Sequence, residues 1–188
     1  MILDCGAGRQ AEYFPNVVNL EVVSYSSTDI LAVGERLPFV DNCFDAVVSF
    51  AVLEHVKDPF KCAAEIMRVL KPGGVLYTQV PFLQPVHAYP NHFYNMTMQG
   101  LRSLFDGMHV EGSGVIPFGQ PIFALSWILN NYASGLPSNL RESFEKLTVA
   151  DLMAPPGAQL GSPHVVSLDP GTAEALACAN YLFATKLT

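Results

Sequence analysis

The chain is poor in charge. Only 14% of its 188 residues are Asp, Glu, Lys or Arg, against 50% hydrophobic ones. That balance excludes a disordered, solvent-extended chain. Basic residues are the scarcest: 10 Lys and Arg against 17 Asp and Glu leave a net charge of −7. No local run of Lys or Arg offsets this, and a nucleic-acid partner is excluded because phosphate binding needs a basic surface. Long apolar runs are missing too. None reaches the ~18 residues needed to span a bilayer, and no signal peptide is visible, so no membrane insertion is expected. Cysteine is sparse. Cys5, Cys43, Cys62 and Cys178 stand at no metal-ligand spacing and read as the reduced thiols of a cytoplasmic protein. No internal repeat is visible. The length suits one domain over residues 1–188.

What is present begins with short apolar runs separated by polar turns. Residues 2–5, 17–21, 29–33, 44–50 and 74–80 read as strands, near-continuous in apolar character as parallel strands covered on both faces are. A helix is expected between the last two. Asp58 suits its N-cap and Pro59 its first turn, Phe60, Ala63, Met67 and Leu70 share a face, and Lys71-Pro72-Gly73-Gly74 stops it. Strand, helix, strand in this order predicts a right-handed crossover in a parallel sheet. Beyond residue 81 a short helix over 97–105, a sixth strand over 108–116, and helices over 122–132 and 140–152 are expected. Residues 154–163 read as a loop, and 175–186 as a strand or a helix. The fold class is therefore α/β, with a Rossmann-like, mostly parallel, seven-stranded sheet and flanking helices.

The strongest local signal is Leu3-Asp4-Cys5-Gly6-Ala7-Gly8, a buried strand running into a glycine turn. Glycines there let the backbone approach a ligand closely, and open α/β sheets bind ligands at this carboxyl edge. Glu21 ends the second run, where a carboxylate can accept both hydroxyls of a ribose. Gly6-Ala7-Gly8-Arg9-Gln10-Ala11 also fits a dinucleotide fingerprint with Ala in third place, which keeps an NAD-dependent oxidoreductase as an alternative. Pro15 leaves room for about one helical turn after the glycines, too little helix to hold a pyrophosphate well.

These motifs continue in order: Arg36-Leu37-Pro38-Phe39, Asp41-Asn42-Cys43-Phe44-Asp45, Val52-Leu53-Glu54-His55-Val56, Asp58-Pro59 and Arg68-Val69-Leu70-Lys71-Pro72-Gly73-Gly74. The set resembles the class I S-adenosylmethionine-dependent methyltransferases, of the type 11 kind that includes the ubiquinone and menaquinone biosynthesis enzymes, over residues 2–81. The resemblance implies S-adenosyl-L-methionine as cofactor. It places the methionine part on the turn of Asp4, Gly6, Ala7 and Gly8, the ribose on Glu21, and the cofactor's flank on Phe50, Ala51 and Leu53. Val33 stands where the family usually has an Asp near the adenine, so apolar and backbone contacts are expected there. His55 reads as structural.

The segment 81–94 follows the fifth strand and so lies at the same edge. His87 and His92 are the candidate catalytic bases, since histidine titrates near neutrality, and Tyr89 and Tyr94 the candidate substrate-binding residues. His92 and Asn95 stand where similar loops of some bacterial members carry Asp and Arg. With no Cys or acid cluster beside the histidines in sequence, no metal site is expected. The implied function is methyl transfer to an oxygen or nitrogen of a small molecule. The other alternative is a degenerate fold of this kind acting as a binding protein. Residues 117–174 read as a helical and loop insert. Its apolar Phe123–Leu129 stretch would cover the pocket or form a homodimer contact. With three residues ahead of Asp4, that insert is the expected source of cover, and weak cofactor affinity is expected.

Overall fold

A computed structural model of the chain describes residues 1–87, 91–182 and 185. They divide into two units, Met1–Leu83 with His87–Val115, and Gln84–Val86 with Ile116–Thr188. The first unit is built on strands β1 (Ile2–Cys5), β2 (Val17–Glu21), β3 (Ile30–Leu31), β4 (Phe44–Phe50) and β5 (Leu70–Gln79). All pair in parallel, in the order β3-β2-β1-β4-β5. β1 is central, with Leu3 and Cys5 wholly buried, as a short apolar strand flanked on both edges must be. Its register sets Asp4 beside Asn19 on one side and Val48 on the other.

Helix α1 (Pro59–Val69) covers the sheet. The Asp58 carboxylate accepts from the Lys61 N–H at 3.0 Å, and Pro59 occupies the first turn, where no N–H is needed. The buried face is Pro59, Cys62, Ala63, Ile66 and Val69. Of the expected face, Ala63 and Leu70 are buried and Met67 packs against the core, but Phe60 is 61% exposed. Cys62, Ile66 and Val69, at i, i+4 and i+7, are wholly buried and centre the face on the core. Leu70 then opens β5 directly. Phe44 pairs with Leu70 and Ala46 with Val75, so Lys71–Gly74 loops out as a bulge within the strand, with Gly73 at φ +79°.

Arg68, in the last turn of α1, ties two motifs together. Its guanidinium donates to both Glu65 carboxylate oxygens (2.7 and 2.8 Å), to the Asp41 carboxylate (2.8 Å), and to the carbonyls of Leu37 (3.1 Å) and Phe39 (2.8 Å). Glu65 also accepts from the Leu37 N–H at 2.9 Å. The planar fork of arginine satisfies this many acceptors at once, which lysine cannot do. Nearby, Cys5 on β1 and Cys62 on α1 are wholly buried against each other. The hydrogen bond with Cys5, with burial second, pushes the Cys62 thiol well above the ordinary thiol range. Gly34 sits so close that a Cβ there would lie 2.6 Å from Cys62 Sγ.

Helix α2 (Met98–Leu104) is capped by Thr97, whose hydroxyl accepts from the Gly100 N–H at 3.0 Å, as expected for residues 97–105. The sheet differs from expectation: among the described residues it has five strands, not seven. Residues 109–116 adopt no strand, because Gly107 (φ +106°), Gly112 and Gly114 interrupt the apolar positions.

The second unit is helical. α3 (Pro121–Ser134) and α4 (Ser138–Glu145) pack Ala133, Leu136 and Phe144 into a small core, with Tyr132 stacked on Phe144 at 4.9 Å. Arg141 donates to the carbonyls of Ala133 (2.9 Å) and Ser134 (3.0 Å) at the end of α3. The helix expected over 140–152 is two. A capping box of Thr148 and Asp151 starts α5 (Val149–Leu152) afresh. Short helices α6 (Pro156–Gln159), α7 (Pro163–Val166) and α8 (Pro170–Ala175) follow. Residues 176–182, expected to be regular, are not. Among the described residues no helix is long and apolar enough to cross a membrane.

Candidate functional site

The strand order reverses between β1 and β4, and open parallel sheets hold ligands outside the carboxyl ends of the strands at such a point. Two loops meet there. After β1, Gly6 and Gly8 take φ of +85° and +62°. After β4, Ala51 takes φ +54°, a strained value for a residue with a Cβ. The loops approach so closely that a Cβ on Gly6 would lie 2.3 Å from Val52 Cγ2. Gly8 has nothing within 4 Å of its own ideal Cβ.

The glycine turn is held entirely by its neighbours in the chain. The N–H groups of Gly6 and Ala7 both donate to the Leu20 carbonyl, at 2.9 and 3.0 Å. The Gly8 N–H donates to Glu21 Oε2 at 2.8 Å, and the Val22 N–H to Oε1 at 2.6 Å. Glu21 is therefore not simply a solvated acid at a strand end. It latches the turn to β2 and keeps further acceptor capacity on both oxygens. Gln10 donates to the Ala7 carbonyl and takes the Ser27 hydroxyl as acceptor for its own N–H. Residues 9–16 form turns and bends with no helix. Asp4, at the end of β1, is partly buried. Burial, with the Glu21 charge second, raises its carboxyl above the ordinary range.

Of the other residues expected along the cofactor, Phe50 ends β4 with 43% of its surface exposed and its ring edge-on to Tyr77 at 5.4 Å. Leu53 is wholly buried in the main core, so its side chain supports the loop and presents no surface to a ligand. Val33, at the adenine position of the resemblance, is 50% exposed.

The histidines converge. The rings of His55, His87 and His92 form a triangle with centroids 5.3, 5.6 and 4.4 Å apart. His92 Nδ1 accepts from the His87 N–H at 3.2 Å and its Nε2 lies 2.9 Å from Asn95 Oδ1, so both ring nitrogens are engaged in holding the loop. Tyr94 donates to the Lys57 carbonyl at 3.1 Å. It lines an open cavity of about 730 Å³ with Lys57, Asp58, Phe60, Met96 and Ser103. That cavity lies at the start of α1 rather than over the glycine turn. Tyr89 lies outside the described residues. Sequence reasoning missed Glu54, the most deeply placed acid of the region. Its side chain is wholly buried, and its carbonyl accepts from the N–H groups of Phe93 (2.7 Å) and Tyr94 (3.3 Å). The available signal was its position in Val52-Leu53-Glu54-His55-Val56, directly after a buried strand.

Residues 3–78 match the family described as methyltransferase domain. Demethylmenaquinone methyltransferase of Renibacterium salmoninarum is 38% identical over 91 residues, which cover 40% of this chain and 38% of that protein. An uncharacterized methyltransferase of Mycobacterium tuberculosis is 32% identical over 108 residues, 57% of this chain and 37% of that one. The chain thus spans under two fifths of the length of these relatives. Among solved structures, the YcgJ protein of Bacillus subtilis superposes with a TM-score of 0.48 at 14% identity, over 80% of this chain and 79% of that one. The matched stretch spans β1 to β5 and α1, and the ordered motifs within it meet at the sheet's switch point.

Proposed function

We propose that the protein is an S-adenosylmethionine-dependent methyltransferase acting on an oxygen or nitrogen of a small molecule. One observation carries the choice of cofactor: the N–H groups of Gly6, Ala7 and Gly8 are all spent inside the protein, and an acid pair, Asp4 and Glu21, stands at the turn. A pyrophosphate needs free N–H donors at the glycine turn and a helix N-terminus; Gly6, Ala7 and Gly8 have none to spare, and residues 9–16 form no helix. A cationic ligand with a ribose fits the same place. Glu21 has lone pairs left for the hydroxyls, the glycine turn admits close approach, and Phe50 offers apolar surface.

When bound, the cofactor supplies an activated methyl group on a positive sulfur. The protein's part is then alignment and exclusion of water. On the acceptor side, Tyr94 and, outside the described residues, Tyr89 are the proposed contacts. The histidine cluster around His87 is the proposed handler of an acceptor proton, with His92 holding its backbone in place.

Calorimetry against S-adenosylhomocysteine and NAD in parallel tests this reading. We expect heat from the first and none from the second. We also expect S-adenosylmethionine, whose positive charge favours ionised Asp4, to bind more tightly as pH rises through the raised Asp4 range, because below it the site must first lose a proton. NAD binding with no response to S-adenosylhomocysteine would overturn the proposal.

A further inference from the structure

Glu54 is wholly buried, and neither of its carboxylate oxygens has a hydrogen-bond partner. A buried carboxylate left this way is costly, and native proteins rarely keep one without a proton, a cation or a ligand. The group facing it does not supply the missing donor in its neutral form. His55 Nδ1 lies 2.5 Å from the Asn91 carbonyl. A carbonyl only accepts, so Nδ1 carries the hydrogen, and in neutral imidazole the lone pair is then on Nε2. That nitrogen lies 3.8 Å from Glu54 Oε1. Two acceptors therefore face each other across a gap too wide for a good hydrogen bond and suited to a shared cation.

A third donor completes the set. His87 offers a ring nitrogen, and the ligating atoms of Glu54, His55 and His87 all lie within 4.8 Å of one another. Zinc–ligand distances of about 2.0–2.2 Å put neighbouring tetrahedral ligand atoms about 3.3–3.6 Å apart, and the 3.8 Å between His55 Nε2 and Glu54 Oε1 is near that spacing. The surroundings are also those of a ligand shell. The hydrogen bond to Asn91 fixes the His55 tautomer, and His92 holds the His87 N–H. The Phe93 and Tyr94 N–H groups clamp the Glu54 carbonyl. Glu54 and His55 follow β4 and His87 follows β5, so the sheet topology brings ligands distant in sequence to one edge.

We propose that Glu54, His55 and His87 form a binding site for a divalent transition-metal ion of the zinc type. Two imidazoles and one carboxylate suit borderline-soft ions such as Zn²⁺ over Mg²⁺ or Ca²⁺, and three protein ligands leave a fourth position open. Resting on the methyltransferase reading, that open position would take the acceptor oxygen or nitrogen; the cluster would then act on the acceptor's proton through the metal it holds, and the proton would leave to water. The metal site itself stands on the geometry alone.

The test uses the untagged chain, stripped by chelator and dialysed, with no cofactor present, so its outcome is separate from that of the methyltransferase reading. Co²⁺ is added and followed by visible absorption, and Zn²⁺ by calorimetry and thermal unfolding. We expect one equivalent of each at micromolar affinity or tighter, an intense low-coordinate Co²⁺ band, and a higher unfolding midpoint with Zn²⁺. His87→Ala, a partly exposed loop change, should weaken Zn²⁺ binding at least tenfold and abolish the midpoint shift; Glu54→Gln should do the same. Absence of the Co²⁺ band and of any Zn²⁺ effect in the native chain would overturn the proposal. So would Zn²⁺ binding that is unchanged in His87→Ala, whatever the folding of Glu54→Gln.

Discussion

Glu21→Ala is expected to weaken S-adenosylhomocysteine binding by one to two decades, about 1.5–3 kcal/mol for charged hydrogen bonds lost. The carboxylate has two tasks. It is the proposed acceptor for the ribose hydroxyls, and it accepts the Gly8 and Val22 N–H groups that set the turn. Alanine removes both, so the ligand loses a partner and the turn loses its latch. Glu21→Gln separates them. Its amide oxygen can still accept from one N–H, but the charge is gone, so an intermediate loss is expected. Calorimetry on variants whose circular dichroism matches that of the parent gives the answer. Unchanged affinity in a folded Glu21→Ala would remove this residue from the site.

Gly6→Ala should destabilise the fold by about 2–5 kcal/mol. A left-handed backbone costs an L-residue about 1–2 kcal/mol, and φ at Gly6 is +85°. Overpacking adds about 1–3 kcal/mol, because the new methyl would fall 2.3 Å from Val52 Cγ2 on a stiff β-branched side chain. Gly8→Ala is the internal control. It shares the positive φ, +62°, but meets nothing within 4 Å, so only the backbone cost is expected. Denaturant midpoints at constant m-value compare the two. Pairing Gly6→Ala with Val52→Ala should recover the steric part and leave the backbone part. Equal losses for Gly6→Ala and Gly8→Ala would show that the two loops do not touch as described.

The readable parts of this protein were those whose physics is local. A parallel strand buried on both faces writes itself as a continuous apolar run, and β1, β2, β4 and β5 were found that way. Asp58 before Pro59 writes a helix start, and it is one. Errors arose where two local signals competed or where a partner was remote. The apolar residues of 108–116 looked like a strand until the glycines among them are weighed. Phe60 shares a helical period with Ala63, Met67 and Leu70, yet the buried face is centred on Cys62, Ala63, Ile66 and Val69 and leaves Phe60 outside. The Arg68 fork could not be read, because its acceptors at Leu37, Phe39 and Asp41 come from a different loop. The Glu54, His55 and His87 cluster was invisible for the same reason: only the β4–β5 pairing brings those loops together. Glu21 ends β2 where the pattern puts it, but its bond to Gly8 depends on β1 and β2 lying side by side.

The buried thiol pair gives the molecule a built-in clock. Cys5 and Cys62 have no solvent-exposed surface. Cys62 is further silenced because its thiolate, the reactive form, is suppressed by Cys5 and by burial. Cys43 is partly exposed and Cys178 exposed, so an alkylating reagent meets those two at once. The other two become reachable only when α1 lifts from β1. The slow phase of a labelling time course would therefore count openings of the core, one molecule at a time, with no reporter group added.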